Sequence, residues 1–237
     1  MSMFKVFSAV AILALAPLAA AAQQPAHDWL VIPNTRVGPI TASSTEQGLR
    51  EAFGGMFVST KRVSGEMETH KRVSLIYRDD FARAISVSWA QDGKREHPET
   101  VLFCFGVYGV TGLWHTRSGI RCGTTMHQLE ALNGRPFTLT GYGRDLAGTV
   151  ESWQGGALEG ELGPKGALEI SVEPGDPGWQ RKLTDAERAI LERESILSSD
   201  PVVQKLSSVV YRMVFKFMDS PGSSPGHLGR SDLVGPR

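Results

Sequence analysis

Residues 119–134 have the sequence Gly-Ile-Arg-Cys-Gly-Thr-Thr-Met-His-Gln-Leu-Glu-Ala-Leu-Asn-Gly, which contains the clearest helix signals of the chain. Thr125 and Gln128 have the spacing of a capping box, in which the hydroxyl and the glutamine side chain satisfy two backbone N–H groups at the start of a helix. Gly134 suits the left-handed position that ends a helix. The stretch predicts a short helix over 125–133, which must pack against a sheet because so short a helix is marginal alone.

The same organisation occurs about eighty residues earlier in the chain. Residues 38–54 have the sequence Gly-Pro-Ile-Thr-Ala-Ser-Ser-Thr-Glu-Gln-Gly-Leu-Arg-Glu-Ala-Phe-Gly. Ser44 and Gln47 repeat the capping-box spacing, and Gly54 repeats the terminating glycine. We interpret the two stretches as degenerate repeats, so a second short helix is predicted over 45–53.

The segments that follow each predicted helix are rich in β-branched and aromatic residues and are punctuated by glycine. Ile85, Val87 and Trp89 alternate with small residues, as a strand with one buried face requires. The predicted strands are 56–63, 73–77, 82–89 and 100–105 after the first helix, and 136–142, 148–153 and 167–172 after the second.

The C-terminal part of the chain predicts one more helix and one more strand. Thr184 and Glu187 form a third capping box, for a helix that continues to about Ile196, and 206–218 has the composition of a long final strand. The predicted fold class is therefore α+β, with two degenerate modules of a helix and an antiparallel sheet, and a third helix and a long terminal strand near the C-terminus.

The first twenty-two residues have the pattern of a secretory signal peptide. A basic residue at Lys5, an apolar run over 6–18 and alanines at 20–22 precede a polar stretch that begins at Gln23. No later segment approaches the roughly twenty apolar residues of a membrane helix. We expect a periplasmic or secreted chain without a transmembrane segment in its mature part.

The mature chain divides into three predicted regions. The first helix and sheet module covers 23–110 and the second covers 111–218. The last stretch, 219–237, is poor in apolar residues and rich in glycine, proline and serine, so it is predicted to be a disordered tail.

Charge and cysteine content restrict the partners and the redox state. Lysine plus arginine and aspartate plus glutamate both number 25, so no global field favours nucleic acid. Cys104 and Cys122 are the two cysteines. In an oxidising compartment they would close a loop of under twenty residues as a disulfide, worth about 3 kcal/mol in the chain-entropy model. Two buried free thiols are the alternative.

The densest cluster of unusual residues lies between the second helix and the strand that ends near residue 153. The candidate binding residues are Asn133, Tyr142, Arg144, Asp145 and Trp153. Aromatic side chains beside an arginine are typical of contact surfaces. The binding interpretation therefore requires that these side chains lie together along one edge of the hairpin, which we call the hairpin rim. The alternative is purely architectural: a helix end, an edge strand and a hairpin turn use the same residue types.

A catalytic or metal site has weaker support in the sequence. Asp145 with His127 or His115 is the candidate pair for a hydrolase, although the histidines lack the spacing of a metal site. A second group combines Glu66, Glu68 and His70 with Asp79-Asp80, where charge is more typical of solvated turns. No metal and no cofactor is predicted.

Residues 119–148, with Ser198-Ser-Asp-Pro201 before the terminal strand, resemble a group of bacterial exported proteins of unknown function. Those proteins carry a pattern close to Gly-Ile-x-x-Gly-Thr-Ser-x-x-x-Leu-x-x-Leu-Asn-Gly-x-Pro-Phe followed by an aromatic, glycine-rich turn. The helix-before-sheet modules also resemble the architecture of the β-lactamase-inhibitor-protein fold. Neither resemblance implies an activity.

The sequence therefore predicts a non-enzymatic exported protein whose sheet face or hairpin rim binds an envelope protein or a small ligand. The alternative is a periplasmic hydrolase that uses Asp145.

Overall fold

The computed structural model describes most of the chain between the two predicted terminal segments. It covers residues 28–64, 70–91, 93–104, 109–163 and 166–218. The predicted signal peptide and the predicted disordered tail lie outside these residues.

The described chain combines five α-helices with antiparallel sheets, so the predicted α+β fold class is confirmed. The helices are α1 (Glu46–Phe53), α2 (Met126–Asn133), α3 (Ala157–Glu161), α4 (Asp185–Leu191) and α5 (Pro201–Lys205), with short 3-10 helices at Gly55–Phe57 and Trp179–Lys182. The strands are β1 (Val31–Ile32), β2 (Arg36–Val37), β3 (Ile40–Thr41), β4 (Val58–Ser64), β5 (His70–Ile76), β6 (Ile85–Gln91), β7 (Glu96–Phe103), β8 (Thr138–Thr140), β9 (Val150–Ser152), β10 (Leu168–Glu173), β11 (Ser195–Leu197) and β12 (Val209–Lys216). Every predicted strand overlaps one of them.

A six-stranded antiparallel sheet forms the centre of the fold, in the order β10-β12-β7-β6-β5-β4. The last strand, β12, lies between β10 and β7, and it pairs with both: Ile170 lies opposite Met213, and Met213 lies opposite Phe103. The sheet thus contains strands from both sides of the predicted module boundary at residue 110. Two three-stranded sheets, β1-β2-β3 and β11-β8-β9, complete the architecture of the described residues.

Helix α1 begins one residue later than its sequence signal indicated. The side chain of Thr45 caps the helix by accepting from the backbone N–H of Gly48 at 3.0 Å. The predicted box of Ser44 and Gln47 is wrong, because the Ser44 hydroxyl accepts from the Thr41 N–H at 3.0 Å and the Gln47 amide donates to Glu51. The range of the helix nevertheless agrees with the prediction.

Helix α2 has the predicted start and end. Thr125 Oγ1 accepts from the Gln128 N–H at 3.2 Å, and Gln128 Oε1 accepts from the Thr125 N–H at 2.9 Å. Gly134 has φ 74°, a left-handed conformation that L side chains adopt with strain. The capping box and terminating glycine predicted for this helix are confirmed.

The third predicted helix begins as expected and ends early. Thr184 and Glu187 form the capping box of α4, but the helix ends at Leu191 instead of near Ile196. Ile196 belongs to β11, where it pairs with Leu139. Sheet pairing therefore overrides helix propensity in this segment.

The short helix α5 precedes the final strand and was not predicted. Asp200 caps it by accepting from the Val202 N–H at 2.8 Å, and Pro201 occupies its first turn. The final strand is correspondingly shorter than the predicted 206–218. Of the residues described, none forms a helix with the length and hydropathy that crossing a bilayer requires.

One hydrophobic core connects all of these elements. Leu49 and Phe53 of α1 and Leu129 of α2 are buried in it, together with Phe103 and Phe215 of the central sheet. Each short helix thus gains the apolar contact that it needs, because isolated helices of this length are unstable in water.

A disulfide connects the end of β7 to the segment before α2. Cys104 and Cys122 are bonded, with their Cα atoms 5.6 Å apart and a sequence separation of 18 positions. The pairing that the sequence predicted is present, and no free cysteine remains among the described residues. The chain-entropy model gives a closed loop of this length a stabilisation of about 3 kcal/mol.

Candidate functional site

The connection between β8 and β9 is held against the end of α4 by its backbone. The Gly141 N–H donates to Glu194 O at 3.1 Å, and the Tyr142 N–H donates to Leu191 O at 2.7 Å. A Cβ at Gly141 would overlap the carbonyl oxygen of Arg193, so this close approach requires a glycine. The docking fixes the direction in which the next side chain, that of Tyr142, points.

Tyr142 presents a ring face, while its hydroxyl is already engaged. The hydroxyl forms a hydrogen bond with Ser208 Oγ at 2.9 Å, and the ring packs against Trp179 with centroids 5.7 Å apart and planes inclined at 57°. Burial raises the pKa of Tyr142 well above its ordinary value of 10.0, and the hydrogen bond with Ser208 only partly opposes this. The phenol therefore stays protonated and serves as an apolar wall.

A surface cleft of ≈ 480 Å³ opens beside these two rings. We call it the Tyr142–Trp179 cleft. Its lining residues come from the β8–β9 connection, the 3-10 helix at 179–182 and helix α4, and they are Tyr142, Gly143, Trp179, Gln180, Arg181, Arg188, Leu191 and Glu192. The volume lies within the ~300–1,000 Å³ that is typical of small-ligand sites.

The charged residues of the cleft differ in how far they are already paired. The guanidinium of Arg188 donates to Gln180 O at 2.9 Å and to Asp185 Oδ1 at 2.6 Å. Within the described structure, the side chains of Arg181 and Glu192 form neither a hydrogen bond nor an ion pair. The cleft thus combines two packed rings with one cation, the Arg181 guanidinium near the Asp176 carboxylate, and one anion, Glu192, and neither charge is hydrogen-bonded or ion-paired.

The sequence-predicted binding residues separate into two groups. Tyr142 lines the cleft, and Arg144 and Asp145 are exposed on the turn that follows it. Trp153 is only 9% exposed and packs on Phe137, with ring centroids 4.9 Å apart. The predicted rim is therefore divided between the surface and the interior.

Asn133 is an interior residue that joins three chain segments. It is 2% exposed, and its Nδ2 donates to the carbonyl oxygens of Trp153 and Arg135, both at 2.9 Å. Its Oδ1 accepts from the Leu158 N–H at 3.3 Å. The contacts in the structure give Asn133 an architectural role, between the end of α2 and the start of α3.

The hydrolase candidates are not brought together by any contact among the described residues. His127 is exposed on α2, the ring Nδ1 of His115 lies 2.8 Å from Leu113 O, and neither forms a hydrogen bond with Asp145. No group of three or more His, Cys, Asp or Glu side chains that could hold a metal occurs in the described part of the chain.

The second group of acidic candidates is partly outside the described residues, where Glu66 and Glu68 lie. Asp80 has a local structural role: its Oδ1 accepts from the backbone of the turn that follows, and its Oδ2 lies 2.6 Å from Arg83 Nε. Asp79 pairs with its neighbour Arg78 at the surface. These contacts are those of a charged turn.

Most of the cleft was missed in the sequence because its residues are distant along the chain. Trp179 and Arg181 follow a turn at Asp176-Pro-Gly, some forty residues after Tyr142. A sequence signal for this part of the cleft was nevertheless present. The turn is followed by Trp179 and by the basic pair 181–182, shortly before the capping box that begins at Thr184. Their convergence on Tyr142 depends on the docking of α4, which sequence patterns do not encode.

One buried charged cluster lies outside the cleft, beneath α1. Glu46 is 6% exposed, and its carboxylate accepts from Thr60 Oγ1 at 2.6 Å, from Ser74 Oγ at 3.3 Å and from the guanidinium groups of Arg50 and Arg95. Burial alone would raise the pKa of Glu46, but the hydrogen bonds from Thr60 and Arg95 outweigh it and the pKa is lowered. The cluster connects α1 to the central sheet.

Comparison with protein-family models, with curated proteins and with solved structures finds no match to this chain.

Proposed function

We propose that this chain is an exported binding protein of the cell envelope, which recognises its ligand or partner at the Tyr142–Trp179 cleft and does not catalyse a reaction. The observation that carries the proposal is the cleft itself: two packed aromatic rings beside charged side chains, of which Arg181 and Glu192 form no hydrogen bond or ion pair, in a volume suited to a small ligand or a side chain of a partner.

Export is supported by the sequence pattern of residues 1–22. The disulfide between Cys104 and Cys122 is compatible with it, because disulfides persist in the periplasm and outside the cell but are rare in the cytosol.

Binding is favoured over catalysis by the chemistry of the cleft lining. None of the described lining residues is a serine, cysteine or histidine, so the cleft offers no pair of nucleophile and base. The Tyr142 hydroxyl is engaged by Ser208, and Arg188 is engaged by Asp185. What remains available is ring surface and charge, and these are the means of recognition.

The export part of the proposal predicts where the protein is found and where it begins. Produced from its full sequence in a Gram-negative host, the chain is expected in the periplasmic fraction with an N-terminus near Gln23, because cleavage follows the small residues at 20–22. Fractionation and N-terminal sequencing measure this. A version without residues 1–22 is the control and should stay in the cytoplasm. Recovery of the full-length chain from the cytoplasm, still starting at Met1, would contradict export.

The binding part predicts that Trp179 is needed for uptake of a flat apolar molecule. Titration with the neutral dye N-phenyl-1-naphthylamine, followed by its fluorescence, should show binding that Trp179→Ala weakens about tenfold, since a lost aromatic contact of ~1.5 kcal/mol corresponds to that factor. Trp179→Phe, which keeps a ring, should recover most of the affinity.

The matched control for this titration is Phe81→Ala. Phe81 is an exposed aromatic residue, 44% accessible, on the turn between β5 and β6 and outside the cleft lining. Its removal should leave dye binding unchanged. Equal losses in the Trp179→Ala and Phe81→Ala variants would mean that the dye binds surface rings indiscriminately, and the cleft would then lose its assigned role.

A further inference from the structure

We infer that the ligand of the Tyr142–Trp179 cleft is a planar apolar body bearing an anionic group, with the rings contacting the planar part and Arg181 binding the anion. This inference rests on the proposed binding function and adds the chemical class of the ligand to it.

The planar part of the ligand is inferred from how the rings of Tyr142 and Trp179 are held in place. Tyr142 is held at its hydroxyl by Ser208, and a Cβ at Gly148 would lie 3.2 Å from Tyr142 Cε1, so the ring rests directly on the backbone beneath it. Trp179 packs against its side. Because the Tyr142 hydroxyl is held and the Trp179 ring already packs against Tyr142, flat apolar groups gain contact area at a small cost in side-chain entropy.

The anionic group of the ligand is inferred from a difference between the two arginines of the cleft. Both terminal nitrogens of Arg188 already donate to protein oxygens. The guanidinium of Arg181 has no such partner in the described structure. A free guanidinium fork matches the two oxygens of a carboxylate, sulfonate or phosphate better than it matches any neutral group.

The position of the Arg181 guanidinium is defined by the glycine beneath it. A Cβ at Gly178 would lie 3.1 Å from Arg181 Nη2 and 3.3 Å from Asp176 Oδ1, so the guanidinium folds back over Gly178 toward the Asp176 carboxylate, which attracts it without forming a hydrogen bond or an ion pair. This places the cation beside Trp179, the next residue along the chain. The nearby carboxylate of Asp176 is paired with Lys182 and also accepts from the Gly178 N–H at 2.8 Å.

Glu192 supplies a second and opposite prediction. It also lines the cleft, and its carboxylate has no partner within the described structure. A negative charge at this position opposes an anionic ligand, and its removal should strengthen anion binding. The inference therefore requires opposite effects from the neutralisation of Arg181 and of Glu192.

The test compares two dyes that share the same rings and differ by one charge. 1-Anilinonaphthalene-8-sulfonate has the ring system of N-phenyl-1-naphthylamine with an added sulfonate. Arg181→Gln should weaken binding of the sulfonate dye about tenfold and change binding of the neutral dye by less than about twofold. Arg181→Lys should restore part of the loss, and Glu192→Gln should strengthen binding of the sulfonate dye only.

The matched control is Arg144→Gln, since Arg144 is an exposed arginine on the neighbouring turn and outside the cleft lining. It should leave both dyes unaffected. If Arg144→Gln weakens the sulfonate dye and Arg181→Gln does not, the anion is bound elsewhere and the inference is overturned.

Failure of the inference can be distinguished from failure of the proposed function. Should Arg181→Gln leave the sulfonate dye unchanged while Trp179→Ala still weakens the neutral dye, the cleft remains a binding site and only the anionic ligand is wrong. Should neither dye depend on Trp179, both the cleft function and the inference are overturned.

Discussion

Replacement of Gly148 by alanine is expected to lower the free energy of unfolding by about 4 kcal/mol, which corresponds to a fall in Tm of roughly 10 °C for a protein of this size. Gly148 has φ 70°, and a Cβ there would overlap the carbonyl oxygen of Val172. The strand connection would have to move, and two backbone bonds would be disturbed: Gly148 N–H to Thr140 O and Val172 N–H to Gly148 O, both 2.9 Å.

The control for this substitution is Gly134→Ala, because Gly134 shares the backbone conformation without the crowding. Its φ is 74°, and a Cβ there would meet no atom within 4 Å. Only the conformational cost of about 1 kcal/mol remains. Urea unfolding of both variants measures the difference. Equal losses in the two would show that steric overlap at Gly148 contributes nothing.

Replacement of Glu46 by alanine is the second change with a large expected effect, a loss of about 3 kcal/mol. It removes the one acceptor shared by two hydroxyls and two guanidinium groups, and the Ser74 hydroxyl left behind is fully buried. Glu51→Ala is the matched control, since Glu51 is an exposed glutamate on the same helix and should cost under about 0.5 kcal/mol. A Glu46→Ala variant as stable as Glu51→Ala would contradict the role of the cluster.

The same carboxylate predicts a dependence of stability on pH. Its pKa is lowered from 4.5 in the folded chain, so the stabilisation by the ionised form is complete above pH 4.5 and is lost as the pH falls through the lower folded value. In urea unfolding repeated between pH 3 and pH 6, Glu46→Gln should therefore lose less stability on acidification than the unchanged chain does. A steeper loss in the variant would contradict the direction of the shift.

The fold was predictable from the sequence wherever local chemistry alone determines an element. The capping boxes of α2 and α4 and the alternation in β6 are local signals, and each corresponds to an element of the structure. The cap of α1 was misplaced by one residue, because three consecutive hydroxyl residues, 43–45, compete for the same position. In the structure the Ser44 hydroxyl accepts from the Thr41 N–H, and Thr45 caps the helix instead.

The candidate site was predictable only in part, for a related reason. Tyr142 was identified because glycines surround it, which is again a local feature. Trp153 looked equally suited to a rim, but alternation within a three-residue strand does not show which face is covered, and Phe137 buries it. Trp179 and Arg181 reach the cleft through the docking of α4, so sequence patterns could not have connected them with Tyr142.

The insertion of β12 between β7 and β10 has a consequence for biogenesis. A nascent chain that ends before residue 209 has two strand edges with no neighbour, and its largest sheet is in two pieces. Assembly of this sheet must wait until residues 209–216 have emerged, because the strand that joins the two pieces follows both of them in the chain. During that interval the exposed edges are open to pairing with other chains, so protection by a chaperone matters more for this topology than for one assembled in sequence order.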